Sequence, residues 1–302
     1  MSATERFKMG WLHDYPSMRD YTPDHDRVAP ERKELGQKDS VKQLLATVTA
    51  KTSAVTLPAT VDLKSWFSPI EDQENLGSCT ANAGAGLVEY YERRAFGKHI
   101  DASRLFLYKT TRNLLQWTGD TGAFLRTTLE ALVLFGVPPE KYWPYHIPDF
   151  DVEPGAFAYS FAQNYKTINY YRYDPPGTTP AKLLARIKTN LAAGLPSFFG
   201  FTVYASYTQA GATGKIPYPT AGEGVVGGHA VVAAGYDDTI KIKNANPGSV
   251  ETTGALLIRN SWGTGWGAAG YGWLPYDYVL NGLAVDWWSI ISQRWIDSGN
   301  FG

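Results

Sequence analysis

The sequence predicts an α+β protein of two lobes, helical in its first half and strand-rich in its second. Three observations carry that reading. The stretch from Cys79 to Phe96 has no proline, and helical patterns follow it from Ser103 to about Leu115 and from Gly122 to about Phe135. Beyond about residue 163 the segments are short, aromatic and β-branched, apart from one helical stretch near Pro180 to Ala193. The chain has 302 residues, enough for two packed lobes, and its 10 Trp and 19 Tyr suit a fold in which large rings pack sheet and loops.

Taken in order, residues 1–57 read differently from the rest. Phe7, Met9, Trp11, Leu12, Tyr15, Met18 and Tyr21 are interleaved with Pro16 and Pro23, which predicts an extended, docking segment. The charged run Glu31 to Glu34 follows as a leash. Asp39 or Ser40 then caps a short helix with Val41, Leu44, Leu45 and Val48 on one face. A body over 58–302 divides into a helical lobe, about 66–162, and a β-rich lobe, about 163–302. Small residues at Ala81, Ala83, Gly84, Ala85 and Gly86 place the Cys79 helix centrally, where other elements press close. The predicted strands run over Thr167 to Tyr173, Ser197 to Tyr204, His229 to Tyr236, Thr239 to Lys243, Ala255 to Ile258 and Tyr271 to Leu274. Asp237-Asp238 and Asn246-Pro247-Gly248 are read as turns.

Composition narrows the function. A formal net charge of -1 supplies no basic field for nucleic acid or an anionic membrane, so neither is expected as a partner. No run of 18 apolar residues suggests a membrane span, and no apolar run near Met1 resembles a signal peptide, so a cytoplasmic location is expected. A single cysteine excludes an intrachain disulfide. No Cys/His/carboxylate cluster has ligand spacing, and no metal or cofactor is expected.

The chemistry rests on three strings. Cys79, preceded by Gly77-Ser78 and followed by a helical pattern, sits at a helix N-terminus, where unpaired N–H groups and the dipole stabilise a thiolate. A lone cysteine is more often just a small buried hydrophobe. Of five histidines, His13 and His25 lie in the extended segment, His99 follows a helix stop, and His146 sits among prolines. His229 opens an apolar strand after Gly227-Gly228; a structural histidine would do the same. The third string, Ile258-Arg259-Asn260-Ser261-Trp262-Gly263-Thr264-Gly265-Trp266-Gly267, is a strand running into a glycine-rich loop. In it Asn260 can accept from an imidazole N–H while Trp262 shields that bond from water.

Together these strings resemble the papain family of cysteine peptidases, in its prokaryotic branch, from about Leu57 to Ser289. The order glutamine, cysteine, histidine, asparagine recurs as Gln73, Cys79, His229 and Asn260, and the histidine follows the cysteine at about 150 residues, as the family requires. Asn260 falls later than usual, implying an insertion around Asn244 to Thr253. Leu76 stands where a disulfide cysteine is usual, Thr80 where an aromatic follows the nucleophile, and Gly228 where plant members commonly carry an acid. The N-terminal segment lacks the long helical signature of the usual propeptide.

The resemblance implies a papain-like two-lobe fold, with a helical lobe, an antiparallel β-barrel-like lobe and the active site in the cleft between them. It implies an endopeptidase acting on peptide or protein substrates, with Cys79 as nucleophile, His229 as base and acid, Asn260 orienting His229, and Gln73 with the Cys79 N–H holding the oxyanion. By the same resemblance Asp120 and Gly122 belong to a loop pairing with substrate backbone. Ala123, Phe124, Gly200, Gly228 and Asp286 border the pocket for the second side chain before the cut, where an unpaired Asp286 carboxylate would favour Lys or Arg. Residues 1 to about 30 are expected to lie in the cleft as an intramolecular inhibitor, making the chain a zymogen. Two other readings share these residues: a transpeptidase or transamidase using the same thiol, and a binding module whose site is permanently occluded.

Overall fold

The computed structural model describes residues 8–301 apart from 35, 54, 55, 167 and 168. Phe7 and the first two residues of the strand expected from Thr167 lie outside the described residues. In chain order the elements are β1 (Trp11–Leu12), α1 (Pro30–Glu34), α2 (Val41–Ser53), β2 (Thr60–Asp62), α3 (Cys79–Phe96), α4 (Arg104–Leu114), β3 (Ala123–Phe124) and α5 (Leu125–Leu134). They continue with α6 (Ala156–Ala162), β4 (Asn169–Arg172), α7 (Pro180–Ala192), β5 (Ser197–Tyr204), β6 (Val225–Ile242), β7 (Thr252–Arg259), β8 (Tyr271–Pro275), α8 (Tyr276–Leu280), β9 (Ala284–Ile291) and α9 (Gln293–Ile296).

The second half forms an antiparallel sheet of seven strands, in the order β4-β9-β5-β6-β7-β8, with β2 added on β6. It is open: among the described residues β4 and β8 do not pair, so the lobe is a curved sheet and not a closed barrel. The expected turn at Asp237-Asp238 is absent. There β2 pairs Thr60 with Asp237 and Val61 with Tyr236, and the ladder to β7 absorbs the irregularity as a register shift between Asp237 and Lys241. β6 therefore runs as one long strand. β9, an apolar strand between β4 and β5, has no counterpart in the sequence reading.

The central helix is α3. It is buried without interruption from Cys79 to Tyr91, and its small residues are needed. A Cβ on Gly84 would meet Thr128 Cγ2 at 3.1 Å and Leu107 Cδ2 at 3.3 Å, while one on Gly86 would overlap the guanidinium of Arg259. Its other side meets β5 and β6, so its N-terminus opens where the helical lobe faces the sheet. Aromatic rings fill the sheet's core as composition suggested, with Phe199 and Trp287 stacked at 3.8 Å.

The segment before residue 58 has two fates. α2 has a reciprocal cap: Ser40 Oγ accepts from the Gln43 N–H at 3.3 Å, and Gln43 Oε1 accepts from the Ser40 N–H at 2.9 Å. Its Val41, Leu44, Leu45 and Val48 are buried against the body, each contributing roughly 1.5–3 kcal/mol. Residues 8–16 instead lie extended across the cleft, with β1 pairing in parallel with β3, and residues 17–20 form a turn closed by the Asp20 N–H on Ser17 O. Met9, Trp11 and Tyr21 pack on the body, Leu12 is half-buried opposite Phe124, and Tyr15 and Met18 stay exposed. The charged run expected as a leash is the short helix α1.

Candidate active site

Cys79 opens α3 and is fully buried. Its N-cap, Ser78, makes no side-chain cap hydrogen bond; its hydroxyl is engaged by Tyr145 Oη at 2.7 Å and by Asn82 Nδ2 at 3.0 Å. The first-turn amides of α3 are thus left for the sulfur, and the N–H groups of Ala230, Gly10, Thr80 and Cys79 all face the thiol. Burial nevertheless pushes this thiol up to about 11, and those four amides only partly oppose the shift.

His229 lies on β6 beside Ala230, opposite Phe201 of β5, and is the only buried histidine of the five. Its Nε2–H donates to Asn260 Oδ1 at 2.7 Å, and the Ser261 N–H donates to the same oxygen at 2.8 Å. An oxygen accepting from both must be the amide carbonyl, which fixes the imidazole tautomer and leaves Nδ1 as the basic nitrogen. Nδ1 is buried without a hydrogen-bond partner. Trp262 stacks on the imidazole at 4.5 Å, covering the His229–Asn260 bond, and Trp266 meets Trp262 edge-on at 5.5 Å. Burial holds the imidazole down to about 4, with the Asn260 hydrogen bond opposing.

Gln73 is fully buried and tied to the loop after β7. Its N–H donates to Ser261 O at 2.8 Å, and Ser261 Oγ donates to Gln73 Oε1 at 2.6 Å. With the carbonyl end held, Nε2 must face the cleft, where it donates to Leu76 O at 3.0 Å and to Lys8 O at 2.9 Å. Ser261 was not singled out from the sequence. Its only signal is its place between Asn260 and Trp262.

The remaining expected positions divide by what they touch. Asp120 braces the cleft loop: its carboxylate accepts from the Gly77 N–H at 3.0 Å and from Tyr108 Oη at 2.6 Å, and it pairs with Lys8 Nζ at 2.7 Å. Gly122 has φ of 74°, and a Cβ there would overlap Gly10 O. Ala123 donates its N–H to Gly10 O at 2.8 Å, so the β3 edge does pair with a peptide, the chain's own. Phe124 leans on Trp117 at 5.7 Å.

Gly200, Gly228 and Asp286 form one slot, and Trp11 fills it. A Cβ on Gly200 would overlap the indole, and one on Gly228 would lie 2.6 Å from Trp11 Cε3. Asp286 forms the floor, accepting from Trp11 Nε1 at 3.1 Å. Its carboxylate is not unpaired, as the basic preference required. Arg172 Nη1 lies 3.1 Å from Oδ1, and Trp288 Nε1 donates to Oδ1 at 2.7 Å. Burial raises Asp286 to about 6 against the pull of Arg172.

Among the described residues no group of three His, Cys, Asp or Glu side chains could hold a metal, and no helix is long and apolar enough to cross a membrane.

With this geometry in hand, the likenesses are informative. The family model described as papain family cysteine protease matches residues 57–282. An uncharacterized peptidase C1-like protein of Acanthamoeba polyphaga mimivirus is 36% identical over 225 residues, 72% of this chain and 68% of its own length. Cathepsin K of Gallus gallus is 30% identical over 223 residues, 71% of this chain but 58% of its own length. The crystal structure of xylellain, a cysteine protease from Xylella fastidiosa, superposes with a TM-score of 0.71 at 33% identity, covering 95% of this chain and 97% of that one. The fold, the cleft and these matches agree, and the chain belongs to the papain family of cysteine proteases.

Proposed function

We propose that this chain is an endopeptidase held inactive by its own residues 8–21, and that Cys79, His229, Asn260 and Gln73 are its catalytic set. The observation that carries the reading is the carbonyl of Lys8 resting on Gln73 Nε2 at 2.9 Å. A peptide carbonyl already sits on the donor that a developing oxyanion would need. Beside it Gly10 pairs with β3 and Trp11 fills the slot next to His229.

In the working enzyme the thiolate of Cys79 adds to a substrate carbonyl, and the electron pair of that bond moves onto oxygen. Gln73 Nε2 and the Cys79 N–H hold the charge; one such donor is worth about 100- to 1000-fold in turnover. His229, protonated at Nδ1, passes that proton to the leaving amine as the carbon–nitrogen bond breaks. Water, deprotonated by the same nitrogen, then hydrolyses the thioester. Asn260 keeps the ring turned so that Nδ1 and not Nε2 faces the sulfur.

The segment inhibits twice over. It covers the cleft, and by excluding water it keeps thiol and imidazole neutral, since burial raises the one and lowers the other. Salt bridges from Arg126 to Asp14 and Asp20 hold it down. Being tethered, it competes at an effective concentration near the millimolar range.

The test is hydrolysis of a fluorogenic peptide panel by the full chain and by a full-length variant with the segment displaced. Turnover by the displaced variant that vanishes in Cys79→Ala supports the reading. A displaced, folded variant without turnover leaves the occluded binding module, and product ligated to an added amine points to the transamidase.

A further inference from the structure

The slot between Gly200 and Gly228 has a chemistry of its own, because its floor is a carboxylate whose charge is already paired. Asp286 is fully buried and sits at φ of 61°, a left-handed backbone that a non-glycine residue rarely adopts. That conformation aims its carboxylate at two indoles and a guanidinium at once. Oδ1 accepts from Trp288 Nε1, and Arg172 Nη1 lies 3.1 Å from it as an ion-pair partner and not a hydrogen-bond donor. Asp174 backs the arrangement, pairing with Arg172 Nε at 2.9 Å and accepting from the Asp286 N–H at 3.0 Å. One oxygen, Oδ2, is left for the slot, and the occupant seen there gives it one N–H: Trp11 Nε1 at 3.1 Å.

Building on the peptidase reading above, we infer that this slot selects an indole side chain in the substrate, with Asp286 Oδ2 as the specificity-determining acceptor and Arg172 as the residue that keeps cations out. The counting of donors and acceptors supports this. A planar aromatic ring fits between walls that have no Cβ, and an indole carries a single N–H for a single free acceptor. A lysine brings three N–H donors and an arginine five, so most would be stranded in a desolvated slot. When the segment leaves it removes Asp14 and Asp20, the partners of Arg126 and Arg172, and the site becomes less hospitable still to a cation. A phenyl or naphthyl ring fills the space but leaves Oδ2 without its donor.

The probe is a full-length chain carrying Gly10→Ala and Trp11→Ala, the first lifting the segment because a Cβ on Gly10 would overlap Gly77 O and the second emptying the slot, with fluorogenic peptides differing only at the second residue before the cut: Trp, 2-naphthylalanine, Phe, Leu or Lys. The Trp peptide should exceed the naphthylalanine peptide by about tenfold or more in kcat/KM, the range of a hydrogen bond to a charged acceptor, and Lys should rank last. Equal rates for Trp and naphthylalanine, or Lys ahead of Trp, would overturn the inference. Binding of N-acetyl-tryptophanamide and its naphthyl analogue to the same chain, followed by NMR, reads the slot without turnover. Preferred indole binding with no hydrolysis of any peptide would sink the peptidase reading and leave the slot standing; no preference in binding would sink the slot.

Discussion

Gly10→Ala should convert the full-length chain into an active enzyme without touching any residue of the proposed catalytic set. Gly10 is wedged between Gly77 and Gly122. A Cβ there would overlap the carbonyl of Gly77 and lie 2.8 Å from Gly77 Cα, and all three atoms are backbone. The Gly77 wall cannot yield cheaply, because its N–H is held by Asp120, which Tyr108 holds in turn. The segment must therefore rise by about 1.5 Å to restore van der Waals distance. That displacement breaks the hydrogen bonds from Gln73 Nε2 to Lys8 O and from the Ala123 N–H to Gly10 O. At about 1 kcal/mol each, with part of the Trp11 burial lost, the seated state weakens by roughly 2–3 kcal/mol. The exposed Lys8–Asp120 pair adds little. The open fraction, and with it kcat/KM on a small peptide, should rise about 30- to 160-fold unless the wild type is already largely open. The assay is turnover of one fluorogenic peptide by both full-length chains, with thermal melting to confirm that the body is intact. An unchanged rate in a folded variant would mean that the seated segment does not block the cleft.

Other consequences follow from the same contacts. Cys79→Ala should abolish hydrolysis in the Gly10→Ala background, His229→Ala should cost nearly as much, and Asn260→Ala should cost less, since residues acting as a unit are strongly non-additive; comparable turnover by the cysteine variant would end the mechanism. Ser261→Ala should lower kcat more than it changes KM, because it frees the Gln73 amide to rotate away from the oxyanion; a pure KM effect would place Ser261 in substrate binding. In the seated state the thiol is raised to about 11 and is protonated throughout the neutral range, so alkylation of Cys79 in the wild-type chain should rise with pH well past 8. In the released chain turnover should instead be bell-shaped, its acid limb set by the thiol and its alkaline limb by the imidazole as a coupled pair. Turnover that climbs steadily through pH 10 would contradict an ion-pair mechanism.

Much of the candidate site was legible because the strings that carry it are local in sequence. A helix start, a strand entrance and a glycine-tryptophan loop each announce themselves within ten residues, and the structure brings Cys79, His229, Asn260 and Gln73 to one end of the cleft. What escaped depends on partners far apart in the chain. Arg172, Ser261 and Tyr108 look ordinary until the fold sets them against Asp286, Gln73 and Asp120. The carboxylate of Asp286 was read as unpaired for that reason. β9 was missed although Trp287, Trp288, Ile290 and Ile291 are all buried, because a strand covered on both faces lacks alternation. The long run of β6 past Asp237 depends on β2 arriving from far upstream, which no local turn signal reveals. Gly10 did carry a signal. A lone glycine between Met9 and Trp11 marks a close backbone approach, and the approach is to Gly77, two residues before Cys79.

If one thiol does the chemistry and the tethered segment controls access to it, both should show in a single experiment. Active-site titration tests both most directly. Full-length wild-type and Gly10→Ala chains are exposed to a peptidyl epoxide at neutral pH, with intact mass, the labelled residue by tandem mass spectrometry, and residual hydrolysis followed together. One adduct per chain is expected, on Cys79, forming far faster in Gly10→Ala and removing activity in proportion to label. Hydrolysis that survives complete labelling of Cys79, or equal labelling rates in the two chains, would contradict it.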